Sequence, residues 1–152
     1  MPAIDVQPIN LARFGQNPRT ARATLTDACG SLAAPTVANL KKLFTVPTGG
    51  CILTKVTGMP KGAAGVVPAN SLVLYLTTDG INFSLMDSET MASQTIATNT
   101  KVVKTTFAEY SEATPERLEG SAANPLQVWV GMQVAYAGGV DVKASYTDFL
   151  VA

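Results

Sequence analysis

Four glutamates, Glu109, Glu112, Glu116 and Glu119, fall around Pro115 in one polar stretch. A pair of carboxylates can act as the acid and base of a glycosidase. Here Arg117 sits among them, and the stretch reads as a solvated acidic loop. Asp87-Ser88-Glu89 offers oxygen ligands for Ca²⁺, but it lacks the spaced ligand series of a dedicated loop. Cys29 and Cys51 have no CxxC spacing and cannot alone close a four-ligand zinc site, so buried free thiols are expected. The sequence contains no histidine. That removes the commonest general base at neutral pH and any Ser-His-Asp or Cys-His arrangement within the chain. No phosphate loop of the form G-x-x-x-x-G-K-[ST] occurs, and no G-x-S-x-G elbow. "GMPKGAAG" leads into a proline-bearing loop, with no helix N-terminus to hold an anion. The expectation is a protein that is not an enzyme, with no catalytic residue, cofactor or metal.

Charge narrows the partner classes. Eleven cations balance eleven anions, and charged residues make up 14% of the chain, against roughly 25% in an ordinary soluble domain. Binding of duplex DNA draws on Lys and Arg neutralising phosphates, so nucleic acid is not the expected partner; Lys41-Lys42 and Lys101/Lys104 read as solvated loops. A neutral Thr/Ser/Asn/Gln/Ala exterior sheds water easily and suits burial against other subunits. The opening "MPAIDVQPIN" lacks the basic and apolar regions of a secretory signal. No apolar run approaches the ~20 residues that span a bilayer, so no membrane partner is expected.

The elements that must position these residues are strands. Residues 1–20 carry Pro2, Pro8 and Pro18, which disfavour a helix. Ile4, Val6, Ile9, Leu11 and Phe14 are too apolar for a free tail, so an extended arm that packs on its own domain or on a neighbour is predicted. "RTARATLTDACG" alternates from Thr20 to Leu25 as a short strand. "PTVANLKKLFTVPTGG" is open between one helical segment and an irregular strand. "CILTKVTGM" is a β-branched strand closed by Pro60, and "KGAAGVVPAN" is a loop. In "SLVLYLTTDGINFSLMD", Leu72, Leu74 and Leu76 share one face, and Val73 and Tyr75 the other. Asp79-Gly80 supplies the positive backbone angles of a hairpin turn, giving a hairpin over Ser71–Met86. "SETMASQTIATNT" offers a short strand or loop, "KVVKTTFAEY" another strand, and "SEATPERLEGSAANP" a loop or edge.

The closing stretch alternates again. Val128, Val130, Met132, Val134 and Tyr136 lie on one side, with Gln127, Trp129, Gly131, Gln133 and Ala135 on the other. After a turn at Ala137-Gly138-Gly139, Val140, Val142, Ala144, Tyr146 and Leu150 resume the pattern, which predicts a second hairpin. Trp129 thus faces away from the valines, toward a second core layer, an interface or a sugar platform. Short strands with regular turn signals read as a sandwich or barrel. The uncharged strand Leu72–Thr77 is either central or an edge that recruits another chain.

The order of "LKKLFTVPTGGCILTKV", "LVLYLTTDGINFSLMD", "TTFAEYSEATPERLEG" and "LQVWVGMQVAYAGGVDVKASYTDF", ending on Tyr146 and Phe149, resembles small all-β virion structural proteins of tailed bacteriophages. Within that group it is similar to capsid decoration (cement) proteins. The resemblance implies an antiparallel β-sandwich of jelly-roll type over residues 21–152, with residues 1–20 as the arm. It implies a homo-oligomer, expected as a trimer, on the outer shell of the virion, with the major capsid protein as partner and the host cytoplasm as the place of assembly. Ile4, Val6, Ile9, Leu11 and Phe14 would then be docking anchors, and Trp129 an interface residue. A tail or head–tail connector protein and a host-glycan-binding module are the alternatives.

Overall fold

The computed structural model describes residues 17–99 and 101–149. The arm residues Ile4, Val6, Ile9, Leu11 and Phe14, and also Leu150, lie outside the described residues. Among the described residues the regular structure is strand, apart from one 3₁₀ turn at Val37–Asn39. The strands are β1 (Asn17–Leu25), β2 (Lys41–Thr45), β3 (Cys51–Pro60), β4 (Gly65–Val67), β5 (Asn70–Thr77) and β6 (Ser84–Met91). They continue with β7 (Gln94–Ile96), β8 (Thr105–Thr106), β9 (Glu116–Leu118), β10 (Gln127–Met132) and β11 (Val140–Asp148).

The first sheet runs β1-β11-β3, and the far edge of β3 is shared by β8 and β9. The second runs β2-β10-β5-β6, and a small ribbon pairs β4 with β7. All these pairings are antiparallel. Successive long strands keep changing sheet, and β5–β6 is the one sequential pair of long strands that is also paired in space. That connectivity is a jelly roll, the double-sheet solution built from two Greek keys.

The core between the sheets follows from alternation, because successive side chains on a strand point to opposite faces. Leu25, Leu53, Val56, Val140, Val142 and Ala144 face inward from the first sheet, a bulge at Thr54 shifting the phase of β3 between Leu53 and Val56, and Leu72, Leu74, Val128, Val130 and Met132 face inward from the second. Each is fully buried, and burying a side chain of the Val or Leu class stabilises the fold by about 1.5–3 kcal/mol. At one border Phe44 of β2 stacks on Tyr146 of β11, centroids 4.0 Å apart and rings within 9° of parallel.

The predicted strand near Thr20 begins earlier, at Asn17, so residues 17–20 of the expected arm, Pro18 among them, belong to β1. β1 is an edge strand, where a residue without an N–H is tolerated. The open reading of residues 35–46 resolves into the 3₁₀ turn followed by β2. The stretch read as a loop at 61–70 contains β4. In "KVVKTTFAEY" only Thr105–Thr106 is strand, because Phe107 drops into the core and its N–H bonds to the Val56 carbonyl at 3.0 Å.

The first hairpin forms as expected, with Leu72, Leu74 and Leu76 on the inner side and Val73 and Tyr75 on the other. Its turn is wider than a tight two-residue one. The Asp79 carboxylate accepts the N–H groups of Ile81 and Asn82, each at 2.8 Å, and Gly80 takes a positive φ of 69°. Those bonds, that of Asn82 foremost, hold Asp79 well below the usual carboxylate range. The strand resumes only at Ser84.

The second predicted hairpin does not exist. β10 pairs with β2 and β5, and β11 pairs with β1 and β3, so the two strands belong to different sheets. The segment between them is an arch tied to other strands. Asn70, itself buried, donates to the Val134 carbonyl at 2.6 Å and accepts the Val134 N–H at 2.8 Å. Gln133 N–H bonds to Ser71 O at 3.0 Å, and Tyr136 N–H to Thr26 O at 3.0 Å.

Candidate interaction surfaces

The outer face of the second sheet is apolar. Val73 and Tyr75 of β5 point outward, beside Gly131 and Trp129 of β10. Residues 26–40 lie across this face and bury Cys29 and Leu40 against it, with Leu32 packed beside them. The segment is fastened by Cys29 N–H to Met132 O at 2.7 Å, by Asn39 Nδ2 to Ala28 O at 2.8 Å, and by the Tyr75 hydroxyl to Leu32 O at 3.1 Å. Gly131 permits the close approach, since a Cβ there would sit 2.6 Å from Leu40 Cδ2 and 3.0 Å from Cys29 Sγ. Trp129 lies at the open end of this layer and is half-buried. Its indole N–H donates to Gln127 Oε1 at 3.0 Å. Phe83 meets its ring edge-on at 5.3 Å and Tyr75 at 6.1 Å. Lys41 and Lys42 of β2 pair alongside Val130 and Trp129.

The two cysteines are free, and each is buried in a different layer. Burial pushes both thiols up, that of Cys51 to about 12 with a further rise from the Asp148 charge. Protonated, inaccessible sulfur is a poor nucleophile and a poor metal ligand. Among the described residues no three His, Cys, Asp or Glu side chains converge as a metal site.

The acidic stretch divides. Glu109 and Glu116 come together with Asp87, Met86 and Tyr110 around an open groove of about 230 Å³. Burial first, then the charge and hydrogen bond of Asp87, and last the charges of Glu116 and Glu109, push the Tyr110 phenol upward. Glu112 instead borders a groove of about 550 Å³ with Thr54, Lys55, Thr106, Ser111 and Ser145. Glu119 pairs with Arg117 at 2.8 Å. The Asp87 and Glu89 carboxylates accept backbone N–H groups, Asp87 Oδ1 that of Ser88 at 2.7 Å and Glu89 Oε2 that of Ala108 at 3.2 Å.

A basic face emerges that the linear sequence conceals. Register places Arg22 of β1 directly opposite Lys143 of β11, Lys143 opposite Thr57 of β3, and Thr57 opposite Thr106 of β8. Lys55 stands opposite Ser145. Lys104 joins Arg22 and Lys143 around a groove of about 190 Å³. Asp141 lies among them; Thr24 Oγ1 donates to it at 2.6 Å and Lys61 Nζ approaches to 3.1 Å. The Thr24 bond, more than the neighbouring charges, holds the Asp141 carboxyl low. The sequence signal for this face was the polar half of the alternation in β1, β3 and β11, which becomes a patch only once partners are known.

No family model matches the chain, and no curated protein matches it. Among solved structures it is similar to a chain of the cyanophage Pam1 capsid asymmetric unit, with a TM-score of 0.44 and 16% identity over 89% of this chain and 87% of that one. It is also similar to a chain of infectious bursal disease virus, Gx strain, with a TM-score of 0.35 and 12% identity over 98% of this chain and 38% of that one.

Proposed function

We propose that this protein is a structural component of a virion, and within that class a capsid decoration protein. It would bind the outer shell formed by the major capsid protein as a homo-oligomer, with a trimer as the expected form, and hold neighbouring capsomers together. The observation that carries this reading is where β1 begins. β1 begins at Asn17 on the rim of the first sheet, so residues 1–16, with Ile4, Val6, Ile9, Leu11 and Phe14, lead directly into an edge strand of a jelly roll. An arm that orders on docking adds contact area and meets its entropic cost only at that moment. Many copies held by one lattice reinforce individually weak contacts. The sequence resemblance to decoration proteins and the low charge density point the same way.

The test is removal of residues 1–16, a boundary that leaves β1 whole. The truncated protein is expected to keep its strand content and cooperative melt and to lose binding to phage particles stripped of this protein. Undiminished binding would overturn the arm's role. Density for the protein on the tail or at the head–tail junction of an intact particle, with none on the shell, would overturn the decoration reading.

A further inference from the structure

We propose that the outer face of the first sheet docks a second copy of this chain, and that the part seated on it is the acidic edge where β6 meets β8 and β9. This goes beyond the virion reading and does not rest on it. A formal net charge of zero hides two regions of opposite sign. Arg22, Lys55, Lys104 and Lys143 stand exposed on the sheet face or at its border. None of the four is ion-paired among the described residues, whose ion pairs are Arg19–Asp148, Lys61–Asp141 and Arg117–Glu119. Arg22 and Lys143 are direct cross-strand neighbours, a like-charge arrangement that is unfavourable on its own and that an incoming carboxylate relieves. Asp141, the anion amid these cations, is already engaged by Thr24 and Lys61.

The acidic edge is the complement. Asp87, Glu109 and Glu116 line a groove that no cation lines, with Tyr110 beside Asp87. The groove on the basic face and the groove on the acidic edge share no lining residue. Contact between them can be made reciprocally across a two-fold axis or repeat head-to-tail from copy to copy, and either arrangement seats the edge of one copy on the face of another. Complementary potentials of this sort set orientation and association rate and weaken with salt.

Sedimentation velocity on the full chain, with two charge-reversed variants, tests this without any particle, so its failure is separable from failure of the virion reading. Wild type is expected to associate at low ionic strength, with affinity falling about tenfold or more at ~0.5 M salt. Arg22→Glu with Lys143→Glu makes the face acidic; Glu109→Lys with Glu116→Lys makes the edge basic. All four residues are exposed, so both variants should melt like wild type, and each alone should lose the salt-sensitive association. Mixed in equal amounts, the two should associate again, because each altered surface now meets its opposite. A wild type that stays monomeric at about 0.1 mM in low salt would overturn the proposal. So would association that survives either reversal, or a mixture that stays monomeric. Binding of heparin that Arg22→Glu/Lys143→Glu abolishes, by a chain that never self-associates, would give the face to a polyanion and equally overturn it.

Discussion

Along β5, both sides of the strand are apolar and buried: Leu72 and Leu74 between the sheets, Val73 and Tyr75 away from them. Along β11 one side is buried, at Val140, Val142 and Ala144, while Asp141, Lys143 and Ser145 on the other meet solvent. Both strands are central in their sheets, and both alternate. What separates them is the chemistry of the second side. Apolar groups on the outer face of the second sheet recruit residues 26–40 as a covering layer, whereas the hydroxyls and cations of the first sheet leave its face open. A sandwich thus acquires a third layer on one side and an open polar face on the other without any change of backbone pattern.

That contrast can be broken or sharpened by measurement. The largest effect is expected in thiol labelling, since each layer holds one buried cysteine. Native labelling should be slower than denatured labelling by more than about a thousandfold. Cys29, in the thinner layer, should react before Cys51; equal rates would mean that the two layers open as one unit. Next in size, Tyr75→Ala should cost about 3–5 kcal/mol in chemical denaturation, as for a fully buried ring. Tyr75→Phe, which strips only the donor to Leu32, should cost about 0.5–1.5 kcal/mol. Gly131→Ala should destabilise by about 1–3 kcal/mol through overpacking against Leu40 and Cys29; a neutral result would show that residues 26–40 shift easily. Smallest of all, Lys143→Ala on the open face should stay within about 0.5 kcal/mol of wild type. A large loss there would show that the face is not an open surface.

Much of the inner architecture was legible in advance. The two sides of β5, the valines of β10 with Trp129 opposite, and the break at Pro60 all follow from period-two alternation and turn chemistry, which are local. The hairpin at Asp79-Gly80 was legible too, but not its width, because the Asp79 carboxylate's capture of two N–H groups is invisible in a residue pattern. The failure at 133–139 is the most instructive. "AGG" between two alternating runs looks the same whether the chain folds back beside itself or arches over to another sheet. Asn70, distant in sequence, decides for the arch by clamping Val134. Trp129 could be assigned to the outer side of its strand, but its neighbour Phe83 comes from the loop of a different hairpin.

By itself the sequence determined that this is a β protein, which side of each long strand is apolar, and that no histidine is available for catalysis. These are properties of residue type and of a two-residue period. Only the tertiary structure decided which strands are neighbours, that β10 and β11 part to different sheets, and that Arg22 and Lys143 share one face while Asp87 and Glu116 line one groove between the sheets' edges. Strand pairing joins residues more than a hundred positions apart, as Arg22 with Lys143. Alternation is identical for every partner a strand could take, so side-chain pattern chooses the face and the packing of the whole chain chooses the neighbour.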